Sequence, residues 1–209
     1  MKLKALRSGW RRHLRHYSRL RRKLGGGQDP KVFCLSCSDS RVSVHEIFDL
    51  GEPGSIFEVK NVGGLFTDDA RSALVYSLNH LSPDFVLVLH HTRCGGYHSL
   101  GEQGVEADIR KHMVANGGLT ARLRVEAYLA EHDIQLSEDD MEQLIIEEGC
   151  RMQTESVISF LKISYPKQYD RVKEGEVKIL PLLYDIVSGR VLVVPERLDA
   201  GSSMKRKQL

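Results

Sequence analysis

Long apolar runs are missing from this sequence. None approaches the roughly 20 residues that cross a bilayer, and the longest strand-like run is Phe85 to Leu89. A membrane-spanning protein is therefore not expected. The first 24 residues also lack the apolar core of a secretory signal. Cysteine is scarce. Four in 209 residues are too few to staple a chain of this size, which excludes a disulfide scaffold. A reducing, cytoplasmic setting is the expectation, with cysteine used for metal binding or packing. Acidic residues are absent from the N-terminal arm. Residues 1–24 carry ten Lys or Arg and no Asp or Glu. The formal net charge of +2 hides this split, because 25–209 hold 20 basic and 28 acidic residues, a net of −8. What remains is ordinary globular material, 41% apolar and 28% charged. The length suits one domain with a substantial core, and no internal repeat or second domain is visible.

The basic arm has an order of its own. Leu3, Leu6, Trp10, Leu14, Tyr17, Leu20 and Leu24 recur every three or four residues, one apolar stripe on a helix. Gly25-Gly26-Gly27 ends it. Such a helix packs on the body or on a second subunit. Its arginine face also suits an acidic partner, nucleic acid or an anionic membrane, and an Arg-rich, acid-free helix resembles an organelle transit peptide. Packing is the expectation, and a nucleic-acid partner is not. The chain then divides into an arm with its Gly linker (1–27), a single main domain (28–204) and a basic tail (205–209).

Beyond the glycines, strands alternate with helices. Strands are expected at 31–36, 55–60 and 85–90, and helices at 42–50, 68–81 and 105–116. Ser137, with Asp140 three residues on, marks the start of a helix running to about Ile163, before Pro166. Residues 177–185 and 190–194 read as a hairpin across Ser188-Gly189. The fold class is α/β: a mainly parallel central sheet flanked by helices, with an N-terminal helical arm and a C-terminal β-hairpin.

Two short segments carry chemistry. Cys37-Ser38-Asp39-Ser40-Arg41 follows the first strand, and His91-Thr92-Arg93-Cys94-Gly95-Gly96 follows the third. Open α/β sheets bind ligands at such strand ends. If these strands are neighbours, Cys37, His91 and Cys94 converge. Two thiolates and an imidazole suit zinc, and three protein ligands leave a fourth position open, as in catalytic sites. Cys34 competes as a ligand, but positions 34 and 37 point to opposite faces of a strand. Cys34 and Cys150 are expected in the core. Asp39 and Arg41 flank a ligand, and an arginine can grip a carboxylate with two hydrogen bonds.

Cys37-Ser38-Asp39-Ser40-Arg41-Val42 and His91-x-x-Cys94-Gly95-Gly96 resemble the two signatures of the β-class carbonic anhydrases. The resemblance spans about 31–194 and includes Lys60-Asn61-Val62-Gly63-Gly64, Thr67-Asp68-Asp69-Ala70 and the Tyr184–Gly189 hairpin. It implies zinc on Cys37, His91 and Cys94. It makes Asp39 and Arg41 the catalytic dyad, with Asp39 as a conditional fourth ligand. It implies reversible hydration of carbon dioxide to bicarbonate, with backbone near Gly95 binding substrate, and a homodimer or higher homo-oligomer embraced by the arm. Lys60 departs from the Arg usual in the family, and the turn at 50–54 is one residue longer than in the plant-type branch. Carbonyl sulfide and carbon disulfide hydrolases share the fold and metal set. A catalytically silent zinc protein that binds an acidic partner through the arm is the rival of another class. His45, His98 and His112 are candidate proton shuttles, each with an ordinary reading as a locally satisfied histidine.

Overall fold

A computed structural model describes residues 3–101, 107–198 and 207–209. The expected helix start at 105–106 and tail residues Lys205 and Arg206 lie outside the described residues. Five strands form one sheet: β1 (Val32–Cys37), β2 (Ile56–Asn61), β3 (Phe85–His91), β4 (Lys178–Tyr184) and β5 (Val191–Val193). Their order is β2-β1-β3-β4-β5. The first four run parallel and β5 is antiparallel to β4, closing the expected hairpin.

Alternation along β1 sets two cores. Phe33, Leu35 and Cys37 face one core with Val86 and Val88 of β3. Cys34 faces the other with Leu87, Leu89 and Leu182. Helices are unequally shared between the faces. The first core lies under α4 (Asp68–His80), α6 (Ala107–Ala115), α7 (Gly118–Glu131) and α8 (Glu138–Ser164). On the second face the helical cover is α3 (Val44–Ile47), a single turn where the sequence suggested a longer helix. Leu180, Tyr184, Val191 and Val193 are only half-buried there. Among the described residues no helix is long and apolar enough to cross a membrane.

The arm differs from expectation. It is two helices, α1 (Leu3–His16) and α2 (Ser18–Leu24), broken at Tyr17. The Tyr17 hydroxyl donates to the Gly51 carbonyl (3.1 Å), and Arg21 Nη2 donates to the Leu14 carbonyl (2.7 Å). That second bond satisfies one of the carbonyls left free at the end of α1. Leu24 reaches Gly54 of the body, whereas Leu3, Leu6 and Trp10 of α1 remain exposed.

Ser137 caps α8 as its sequence position suggests, accepting from the Asp140 N–H (3.2 Å). Three α-helices were not foreseen, the first being the short α5 (Gly95–His98). Gly117, at φ +90°, ends α6 and at once begins α7. Pro166 opens α9 (Pro166–Lys173) directly after α8, since proline's fixed φ and missing N–H suit the first helical turn.

Gly149, inside α8, is required by packing. A Cβ there would overlap the hydroxyl of fully buried Tyr97. Alanine would favour the helix by about 1 kcal/mol. The overlap is with a locked ring, so the clash wins. Gly149→Ala should cost about 1–3 kcal/mol, lowering Tm by roughly 2–12 °C for a chain of this size. Thermal unfolding decides, and a higher Tm would show that Tyr97 yields without cost.

Candidate metal centre

Parallel pairing positions the site. Ser36 lies opposite Leu89, so Cys37 at the end of β1 and His91 at the end of β3 emerge from the same edge. The chain leaves β1 for β2 on one side and returns to β3 on the other. The loops part there and leave a crevice. Cys94 joins from the head of α5 (Gly95–His98).

All three side chains are buried, and their ligand atoms lie within 4.8 Å of one another. The two sulfurs are 3.8 Å apart. Ligands about 2.3 Å from one ion at a tetrahedral angle would be separated by about that distance. His91 Nδ1 is engaged by the Thr92 carbonyl at 3.0 Å. Its Nε2 is buried without a hydrogen-bond partner, a costly state that a metal ion would relieve. The donor set and the orphaned nitrogen both fit zinc. Among the described residues this is the one cluster of its kind.

Electrostatics favour a thiolate. The Cys94 thiol beside it draws the Cys37 pKa down against burial, with His91 and the N–H groups of Asp39 and Gly63 assisting. Cys94 is correspondingly raised, by its bond to Cys37 and by burial. Burial pushes Cys34 and Cys150 far up. Both are inert core thiols, as expected, and Cys150 lies against the carbonyls of Val88 and Leu182. His90, one residue before the ligand, is pushed down to about 4 by burial and stays neutral.

Asp39 and Arg41 do form a pair. Arg41 Nε donates to Asp39 Oδ1 (2.9 Å) and Nη2 to Oδ2 (2.6 Å), while the Arg41 backbone N–H also donates to Oδ1 (2.9 Å). The guanidinium holds the carboxyl well below the usual carboxylate range, despite partial burial. Oδ2 lies 3.8 Å from His91 Nε2, so the carboxylate borders the centre while gripped from behind. Arg41 Nη2 also donates to the Arg93 carbonyl (3.0 Å), tying the two ligand loops together.

Supporting residues were less visible in the sequence. Gly64, at φ +65°, presses on the backbone at Ser36 and Cys37, which only glycine permits cheaply. Lys60 donates to the Val42 carbonyl and fastens the end of the first signature loop. Gln153 of α8 accepts from the Phe66 N–H (2.7 Å) and donates to the Asn116 carbonyl (2.9 Å). A buried glutamine on a long helix gave no signal of that role. The candidate shuttles have local partners: His45 with the Leu50 carbonyl, His98 with Glu142, and His112 with the Val62 carbonyl. Gly95 is exposed, with nothing within 4 Å of where a Cβ would sit.

Comparison with known proteins agrees with this geometry. "Beta carbonic anhydrase 6, mitochondrial" of Arabidopsis thaliana is 30% identical over 169 residues, covering 76% of this chain and 54% of the relative. The "Carbon disulfide hydrolase" of Saccharolobus solfataricus is 28% identical over 120 residues, covering 57% of this chain and 56% of the relative. The chain thus spans about half the length of these relatives. A tetrameric β-carbonic anhydrase of Sordaria macrospora has the same fold, with a TM-score of 0.71 at 21% identity over 92% of this chain and 94% of that one. The sequence model of the family described as "Carbonic anhydrase" matches residues 32–191. That match includes both strand-end loops and the buried Cys-His-Cys cluster they build, and on these grounds the chain belongs to the β-class carbonic anhydrase family.

Proposed function

We propose that the protein reversibly hydrates carbon dioxide to bicarbonate and a proton, with a zinc ion on Cys37, His91 and Cys94. The observation that carries this is the buried three-ligand cluster with an ionised carboxylate fixed at its rim. Zinc bound there would supply a nucleophile at neutral pH by lowering the pKa of water. The chain's own residues do the rest. Asp39, kept ionised by Arg41, can only accept hydrogen bonds. It therefore accepts a hydrogen bond from the attacking oxygen, which orients that oxygen with a lone pair towards the carbon. Arg41 grips Asp39 in this structure and holds it back from the fourth position, which Asp39 would take only when that pairing is released. The open backbone at Gly95 leaves room for the substrate beside Cys94.

A second reading is supported by the likeness to a carbon disulfide hydrolase. The same centre would attack a sulfur-bearing carbon, and no side chain named above decides between the substrates. The Asp39–Arg41 pair argues against a silent zinc protein.

We also propose a homodimer or higher homo-oligomer. The second sheet face, thinly covered by α3, and the exposed stripe of α1 are both apolar surfaces wanting a partner. The net acidic body of another copy complements the arm's ten cations.

Three outcomes check these proposals. Purified protein should hold one zinc per chain by elemental analysis. Cys37→Ser, His91→Ala and Cys94→Ser should each lose most of it, and Cys34→Ser should not; zinc loss on changing Cys34 would show the ligand set to be wrong. In stopped-flow assays carbon dioxide should be hydrated faster than carbonyl sulfide or carbon disulfide is hydrolysed. Arg41→Ala should cut that rate by roughly 10²-fold or more with zinc retained, and unchanged turnover would remove the dyad from the mechanism. Deleting residues 1–24 should shift the sedimentation of the oligomer towards smaller species. An unchanged oligomer, coupled with loss of salt-sensitive nucleic-acid binding, would assign the arm to such binding instead.

A further inference from the structure

The loop that carries His91 is moored to the C-terminal hairpin. His91 pairs with Tyr184 at the end of the β3–β4 ladder. Thr92, the next residue, is buried and makes three bonds to the last residue of β4 and the segment after it. Its backbone N–H donates to the Tyr184 carbonyl (3.0 Å), and its hydroxyl donates to Asp185 Oδ1 (3.2 Å). The same hydroxyl oxygen accepts from the Ile186 N–H (3.1 Å). Thr92 is thereby fixed at its nitrogen and at its side chain. Its carbonyl is left facing His91 Nδ1 at 3.0 Å.

That carbonyl decides what His91 can do. A backbone carbonyl only accepts, so Nδ1 must carry the proton and Nε2 must carry the lone pair. Nε2 is the buried nitrogen without a partner. Groups that hold the non-ligating nitrogen orient a metal-bound histidine and fix its tautomer.

Asp185 divides its carboxylate between two tasks. Oδ2 accepts from the Ser188 hydroxyl and serves the turn alone. Oδ1 accepts from the Val187 N–H (3.1 Å) and from the Thr92 hydroxyl. The Asp185 backbone is itself fixed, donating to the Arg190 carbonyl and accepting from the Gly189 N–H, each at 2.8 Å. Directly after Thr92 comes Arg93, a non-glycine residue at φ +57°. This unfavourable turn brings Cys94 back towards the centre. It needs a rigid anchor on its N-terminal side, and Thr92 is that anchor.

We propose that Asp185 is a positioning residue for the metal ligand His91, acting through Thr92, so that the closing hairpin helps set zinc affinity. The inference rests on the zinc reading above. A merely structural Asp185 would stabilise the turn and leave the metal untouched, and the two roles separate experimentally.

The test is a zinc-affinity series on the full chain, using competition with a chromophoric chelator, alongside thermal unfolding of the metal-free proteins. Asp185→Ala and Thr92→Val should weaken zinc by about 10–100-fold, whereas Asp185→Asn and Thr92→Ser, which keep the bonding oxygens, should stay within about threefold of wild type. Ser188→Ala removes the turn bond and should lower Tm with little change in affinity. In the cobalt(II)-substituted protein, the ligand-field bands should shift for Thr92→Val and not for Thr92→Ser. Wild-type affinity in Asp185→Ala, or a loss no greater than in Ser188→Ala, overturns the proposal. If Asp185→Ala does not fold, the Thr92 pair decides: equal affinities for Val and Ser overturn it. A wild-type protein without stoichiometric zinc overturns the zinc reading itself, and this inference with it.

Discussion

The parallel pairing of β1 with β3 is the constraint on which the rest depends. Its register delivers Cys37 and His91 to the same edge of the sheet. A slip of one residue would turn Cys37 to the opposite face and bring Ser36 or Ser38 into its place. The buried apolar faces resist such a slip, because Phe33 and Leu35 would exchange sides with Cys34 and Ser36. The hydrophobic core therefore does more than stabilise the chain. It places two soft donors and an imidazole where no short sequence motif alone could place them.

On that base the ligand loops are secured from two directions. Arg41 joins the loop after β1 to the loop after β3, through Asp39 and the Arg93 carbonyl. The C-terminal hairpin holds the second loop through Thr92. The inner wall is packed too closely for side-chain drift, with Gly64 against the Cys37 backbone and Gly149 against Tyr97. Orientation is thus built into the fold. A ready site of this kind loses less entropy on metal binding than one ordered by the ion.

Much of this was legible before any coordinates. Strand alternation put Cys34 and Cys37 on opposite faces, and the structure places them in opposite cores. Spacing marked both ligand loops as strand ends. The hairpin and the Ser137 cap also followed from local signals. What escaped were features governed by distant contacts. Gly117-Gly118 read as a break, yet one left-handed residue both ends α6 and starts α7. The arm's stripe read as one helix, but the Tyr17 contact with Gly51 and the Arg21 bond to Leu14 accompany a break in it. Thr92 and Asp185 stood in plain view within recognised segments. Nothing local joins residues 93 positions apart, so their link emerged only from the fold.

The most direct test of an open Cys-His-Cys zinc centre is the zinc K-edge X-ray absorption spectrum of the purified protein. The account predicts two sulfur neighbours at about 2.3 Å and two nitrogen or oxygen neighbours at about 2.0–2.2 Å, one of them exchangeable. A closed shell with three or four sulfurs, or a spectrum free of sulfur, would contradict it.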